Sequence, residues 1–183
     1  MNHALAVMGQ RGAVPAEVEL DGPVGDAVRS RVGQAAYDLN VQQYCCAGLN
    51  FGYYYDRSPI IAYDGEAPPS YSMGGFTAST VPGARVPHVW LSDGRSLLDA
   101  LGPAYTLVRL DQTVDAAPLV EAAARWGVPL TLLDVDQGDT GFGFPETLLM
   151  VRPDSHIAWR GQAAPEQLDR LFDRLRGTVP RRA

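Results

Sequence analysis

Cys45 and Cys46 are the only two thiols in the sequence, and they are adjacent. Dithiol or metal chemistry is what such residues could do. Neighbouring cysteines seldom close a disulfide, because the side chains must approach in a way that a trans peptide resists. Two small apolar residues near a helix end is the plainer reading. His3, His88 and His156 are widely scattered and lack ligand-like spacing. His156 sits in a hairpin-like stretch, where a structural role outweighs a catalytic one. Asp134, Asp136 and Asp139 follow an apolar run and could face a hard cation. Their spacing is not that of a calcium loop, however, and Gly138 and Gly141 suit a solvated turn. Arg152 and Arg160 flank the same hairpin. They could clamp an anion, but pairing with Asp154 or with a neighbouring domain's carboxylate is simpler. No Gly-x-Ser-x-Gly elbow occurs. The expectation is therefore no catalytic, cofactor-binding or metal-binding residue in this chain.

These residues belong to a 183-residue chain that is 46% hydrophobic and carries a net charge of −6. An acidic surface repels phosphate backbones and argues against nucleic-acid binding. No run is long enough to span a membrane, and the scarcity of cysteine favours a reducing cytoplasm. All 15 basic side chains are arginine. The late cluster from Arg170 to Arg181 alternates with Asp169 and Asp173, which suggests a solvated helix face.

The elements that would position these groups change character along the chain. Residues 1–8 read as a helix remnant, as if cut from a longer segment. Val28, Val32, Ala35 and Leu39 predict a helix over 25–43 with one apolar stripe, and Asp26 fits its cap or first turn. From 44 to 87, prolines and glycines exclude a long helix. The tyrosines and phenylalanines in the same stretch argue against disorder and for rings packed on a neighbouring surface. After residue 88 regular patterns follow: a strand at His88–Leu91, a turn at Asp93-Gly94, and a short helix capped by Ser96. A strand at 105–110 precedes a helix at 115–126 that stops at Gly127, and a strong apolar strand spans 128–135. Strands at 147–151 and 156–159 flank Arg152-Pro153-Asp154-Ser155. A last helix is opened by Pro165 and stopped by Gly177.

Strand, helix, strand, hairpin, helix describes a mixed sheet flanked by helices, an α/β layout of thioredoxin-like type. In that layout the redox cysteines would occupy Asp111 to Ala117, which contains none. Pro145 falls near the proline that thioredoxins keep cis, and its isomer is left open.

Four ordered stretches carry a family resemblance. They are Gly48-Leu49-Asn50-Phe51-Gly52-Tyr53-Tyr54-Tyr55 with Ser58-Pro59, then Pro82 to Leu91, then Asp93 to Asp99, then Pro145 to Gly161. The last includes Arg152-Pro153-Asp154 and His156-Ile157-Ala158-Trp159-Arg160. Together they resemble the C-terminal region of the FAD-dependent aromatic-ring hydroxylases, the phenol, dichlorophenol, hydroxyphenylpropionate and polyketide hydroxylase group. The resemblance implies FAD and NAD(P)H for a full-length enzyme. Members bind FAD through Gly-x-Gly-x-x-Gly and a later Gly-Asp segment. Here Gly74-Gly75 lacks the third glycine, and Gly25-Asp26 lacks the right downstream residues.

The expected organisation is a helical N-terminal remnant (1–47), an extended aromatic Pro/Gly-rich connector (48–87) and a thioredoxin-like domain without redox cysteines (88–183). The expected role is a non-catalytic accessory domain. It would pack against an FAD-binding monooxygenase domain, in the same or a separate chain, with homo-oligomer contacts possible. A stand-alone thioredoxin-like binding or scaffold protein is the alternative. A redox protein using Cys45 or Cys46 is a weaker third.

Overall fold

The computed structural model of the protein describes residues 14–44, 46–136 and 142–178. Contacts divide the chain into two units, one of residues 1–51 with 71–76 and one of residues 52–70 with 77–183.

In the first unit, Arg29 ties a short 3-10 turn to α1 (Pro23–Tyr44) by donating to the carbonyls of Val18 and Leu20 at 2.8 and 2.9 Å. Asp26 sits in the first turn of α1, where a carboxylate suits the helix dipole, and pairs with Arg29. Of the predicted stripe, Val28 and Val32 are only half-buried and Ala35 is exposed; the Leu39 side chain is outside the described set. A short α2 (Ala47–Phe51) follows. The N–H groups of Gly48 and Leu49 reach the Met73 carbonyl at 3.1 and 3.3 Å. Gly48 is required there, since a Cβ would lie 1.7 Å from the Ser72 oxygen.

The second unit carries α3 (Leu97–Ala100), β1 (Tyr105–Arg109), α4 (Ala117–Arg125), β2 (Leu130–Asp134), β3 (Leu148–Val151), β4 (Ile157–Gly161) and α5 (Leu168–Leu175). The sheet order is β2-β1-β3-β4. β1 and β2 are parallel, with Leu107 opposite Leu132, and α4 supplies the crossover that such a pair needs. β3 is antiparallel to both β1 and β4. This is the mixed, helix-flanked α/β sheet of thioredoxin-like type.

Side-chain alternation along the strands fills both faces. Leu107, Leu148 and Met150 meet α4 and α5 through Leu119, Ala122, Leu171 and Phe172. Val108, Leu149 and Val151 meet Val86, Val89, Leu97 and Phe144 on the other face. Burial on both faces explains why β3 reads as a continuous apolar run. Residues 83–86 run antiparallel along β4, with Gly83 N–H to Ile157 O at 2.8 Å and Val86 N–H to Ser155 O at 2.9 Å. They cover that sheet edge. Gly83 has φ +106, and a Cβ would meet the Tyr55 carbonyl at 2.4 Å. Gly83→Ala is expected to cost about 2 kcal/mol or more from left-handed strain and this clash. Urea unfolding followed by circular dichroism measures it.

Several sequence expectations shift. His88–Leu91 is not a strand: Trp90 makes one isolated bridge to Ser96, because the chain reverses at once through the Asp93-Gly94 turn. Ser96 does cap α3, accepting from the Leu98 N–H at 3.1 Å. β2 is shorter than 128–135 and lies at the sheet edge, so Leu132 stays 39% exposed while the flanking Val128 and Val135 are buried. Pro165 does not open α5, which begins at Leu168 after Gln167. Gly127 and Gly177 terminate α4 and α5 in left-handed backbone, at φ +65 and +74. No cis peptide bond occurs among the described residues, so the bond before Pro145 is trans.

Candidate functional site

The loop after β1 and the start of α4 is where this fold places redox chemistry. Here Asp111 accepts from the N–H and hydroxyl of Thr113 at 2.9 and 2.7 Å. The Thr113 hydroxyl bond, with its N–H behind it, holds the Asp111 carboxyl below its ordinary range. Asp115 accepts from the Ala117 N–H at 2.9 Å. Asp111, Thr113, Asp136, Phe144 and Pro145 line an open groove of about 680 Å³ beside this loop. A helix N-terminus lowers a thiol pKa, but here it faces carboxylates and no cysteine. Cys46 lies half-buried in the other unit, where its carbonyl accepts from the Asn50 N–H.

The same turn joins a strand to a helix within a parallel pair, the kind of turn that dinucleotide-binding folds use to hold a pyrophosphate. A pyrophosphate needs glycines for close backbone approach and no competing negative charge. Residues 110–116 contain no glycine and two aspartates. Gly25 lies inside α1, with its Cβ direction filled by the Leu20 carbonyl at 1.7 Å. Gly75 donates its N–H to the Ser72 hydroxyl at 3.0 Å, within a loop. The described residues therefore do not fit FAD.

The hairpin joins two polar clusters to the sheet. In the turn, Arg152 pairs with Asp154 at 2.9 Å and lies over the Tyr55 ring at 4.8 Å. The Tyr55 hydroxyl donates to Asp154 at 3.2 Å. Burial first, and then the Asp154 charge, push that hydroxyl's pKa up. His156 is buried, and its Nδ1 lies 2.9 Å from the Asp154 carbonyl. Nδ1 carries a proton wherever it donates to that carbonyl. The Tyr55 ring packs edge-on against the imidazole at 4.8 Å. Ser155 takes φ +64 to close the turn.

Arg160 anchors the second cluster. Its side chain is 9% exposed; Nε donates to Asp64 at 2.7 Å, Nη1 meets Glu146 at 2.8 Å and Thr80 at 3.0 Å, and Nη2 pairs with Glu66. Burial opposes the guanidinium charge, and the Asp64 and Glu66 bonds outweigh it, so its pKa stays raised. For Asp64, burial pushes up, but the Glu66 N–H and Arg160 pull it below the usual carboxylate range. Arg152 thus takes the Asp154 partner expected from sequence. Arg160 finds three carboxylates within this chain, two of them from residues 64 and 66, which sequence spacing could not associate with it.

The other candidates separate. Arg109 holds Asp134 in a two-pronged pair at 2.6 and 3.0 Å, Asp136 is exposed, and Asp139 lies outside the described residues. No group of three metal-ligating side chains forms among the described residues. His88 is exposed and packs edge-on to Trp90 at 5.0 Å. His3, Cys45, Gly138, Gly141 and Arg181, and the reading of residues 1–8, fall outside the described residues. Tyr54 and Tyr63, rings expected to seek another surface, are engaged within their own unit: the Tyr54 hydroxyl donates to Pro82 O at 3.1 Å and the Tyr63 hydroxyl to Tyr55 O at 2.6 Å. Tyr53 remains 57% exposed. Among the described residues, no helix is long and apolar enough to cross a membrane.

Comparisons with known proteins give this arrangement its context. The chain is 31% identical over 175 residues to phenol 2-monooxygenase of Pseudomonas sp. (strain EST1001), covering 82% of this chain and 27% of that protein. It is 29% identical over 140 residues to the FAD-dependent monooxygenase apdD of Emericella nidulans, covering 71% and 22%. The structure matches that of native and K252c-bound RebC-10x with a TM-score of 0.77 and 31% identity, over 97% of this chain and 34% of that one. It also matches the rebeccamycin biosynthetic enzyme RebC with reduced flavin, with a TM-score of 0.75 and 30% identity, over 97% and 33%. The chain therefore spans about a quarter to a third of the flavoenzymes it resembles. Residues 79–179, which contain the segment along β4, the whole sheet and α3 to α5, match the aromatic-ring hydroxylase C-terminal family, and the chain belongs to that family.

Proposed function

We propose that this chain serves as a non-catalytic C-terminal accessory region of an FAD-dependent aromatic-ring monooxygenase. It packs against the flavin-binding region and contributes to subunit contacts, while FAD and NAD(P)H act in the larger enzyme. The observation that carries this reading is its match to a C-terminal family within proteins three to four times its length. The polar clusters fit it. Arg160, Arg152 and Arg109 each pair with at least one carboxylate of this chain, which supports a role in holding the fold.

Co-expression with the flavin-binding region encoded in the same or a neighbouring gene tests the packing. Sedimentation is expected to show one flavin-containing complex. Two independently sedimenting species, with hydroxylation unaffected by this chain, would overturn it. The core of residues 52–70 and 77–178, closed on both sheet faces, favours one second reading, a stand-alone thioredoxin-like binding or scaffold protein. Independent sedimentation is the result that reading expects.

A further inference from the structure

The arginines of α5 divide unequally between partners. Asp169 is taken by Arg125 at 2.9 Å and by the Trp126 indole N–H at 3.0 Å, and Asp173 by Arg176 at 2.6 Å. Among the described residues, Arg170 reaches the Gln167 side-chain oxygen, at 3.4 Å, and neither Arg170 nor Arg174 makes an ion pair with a carboxylate. This is unusual in an acidic chain whose Arg95, Arg109, Arg125, Arg152 and Arg160 each meet a carboxylate.

Four residues apart on a helix, Arg170 and Arg174 share a face. Both line one open groove of about 270 Å³ together with Tyr63, Trp159, Pro165 and Gln167. Among the described residues, no acidic side chain lines it. Trp159 is half-buried and Tyr63 is 36% exposed, so aromatic surface lies beside the two charges. Two guanidiniums present forked donors that match a carboxylate, and an aromatic wall accepts the apolar body that carries it. Sites for free small molecules generally run from about 300 Å³ upward and enclose most of the ligand. This groove is smaller and open, which suits one side chain on a protein surface.

We propose that this groove docks an acidic segment of the flavin-binding region, with an Asp or Glu carboxylate between Arg170 and Arg174 and its apolar neighbour against Trp159 and Tyr63. The choice of partner rests on the reading above; the chemistry of the groove does not.

The test is NMR of the 183-residue chain, following the Trp159 indole N–H and the Arg174 Nε–H. The probes are acetyl-Leu-Glu-Leu-amide, the same peptide with Gln for Glu, and inorganic phosphate. The Glu peptide is expected to shift both signals saturably while the Trp90 indole stays put. The Gln peptide, and the Glu peptide on an R170Q/R174Q variant, are expected to bind at least tenfold more weakly. No shift, an equal response to the Gln peptide, or unchanged affinity in the folded variant would overturn the docking site. Phosphate binding as tight as the Glu peptide would overturn it in favour of a free-anion site. Because the Gln peptide uses the unaltered chain, the comparison does not depend on the variant folding. Association with the flavin-binding region is measured separately by sedimentation, so failure of the groove and failure of the accessory reading give different results.

Discussion

Arg160→Ala is expected to destabilise the chain by about 3–5 kcal/mol, the range for removing one partner from a buried ionic cluster. The side chain is 9% exposed and faces Asp64, Glu66 and Glu146. Its loss leaves three carboxylates close together with no cation among them, and leaves the Thr80 hydroxyl without this donor. The effect depends on pH in a defined direction. Asp64 has a depressed pKa in the fold. The stability this supplies is present above the ordinary carboxylate pKa and is lost as pH falls through the lower, folded value. The gap between native and variant chains should therefore be widest near neutrality and narrow as Asp64 protonates below about pH 4. Denaturant unfolding at several pH values checks both size and trend. Asp64→Asn should also cost less in the Arg160→Ala background than alone, since the two share one interaction. Strict additivity would show that Arg160 acts through packing alone.

Phe172→Ala is expected to cost a similar amount, about 3–5 kcal/mol, for a different reason. Phe172 is fully buried in the layer between α5 and the sheet, with Leu107, Leu119 and Met150 in the same cluster. Removing the ring opens a cavity against β1 and β3, strands whose inward residues have little room to relax. No charge changes, so this loss should be flat with pH, in contrast to Arg160→Ala. The Tyr105 hydroxyl also ties β1 to the Leu175 carbonyl of α5 at 3.1 Å. Loosening of α5 would therefore register in the near-ultraviolet signal of that tyrosine. A loss that varies strongly with pH would mean that the ring supports the polar clusters as well.

Where the sequence carried a period, it was readable. Leu119, Ala122 and Ala123 announce α4, and Leu171, Phe172 and Leu175 announce α5, because one helical face is apolar. Leu148 to Val151 announces a buried strand, and Arg152 to Ser155 its turn. Other features have no local signature. Residues 81–86 lie in a Pro/Gly-rich stretch without period, yet they cover the β4 edge and place Val81 and Val86 in the core. Backbone pairing and burial put them there, and neither leaves a repeat. Asp64 and Glu66 lie 96 and 94 residues from Arg160, so that cluster exists only once the fold closes. The alternation of Arg170 and Arg174 with Asp169 and Asp173 reads as a solvated helix face, and Asp169 and Arg170 are exposed. The pairing of Asp169 with Arg125, 44 residues away, has no local signature.

Residues 79–179 place this chain in the aromatic-ring hydroxylase C-terminal family, while its strand-to-helix turn, residues 110–116, does not suit a flavin pyrophosphate. Titration of FAD into the purified 183-residue chain, followed by the visible flavin spectrum and by calorimetry, tests that mismatch. No saturable binding is the predicted result, and stoichiometric binding with a perturbed flavin spectrum would contradict it.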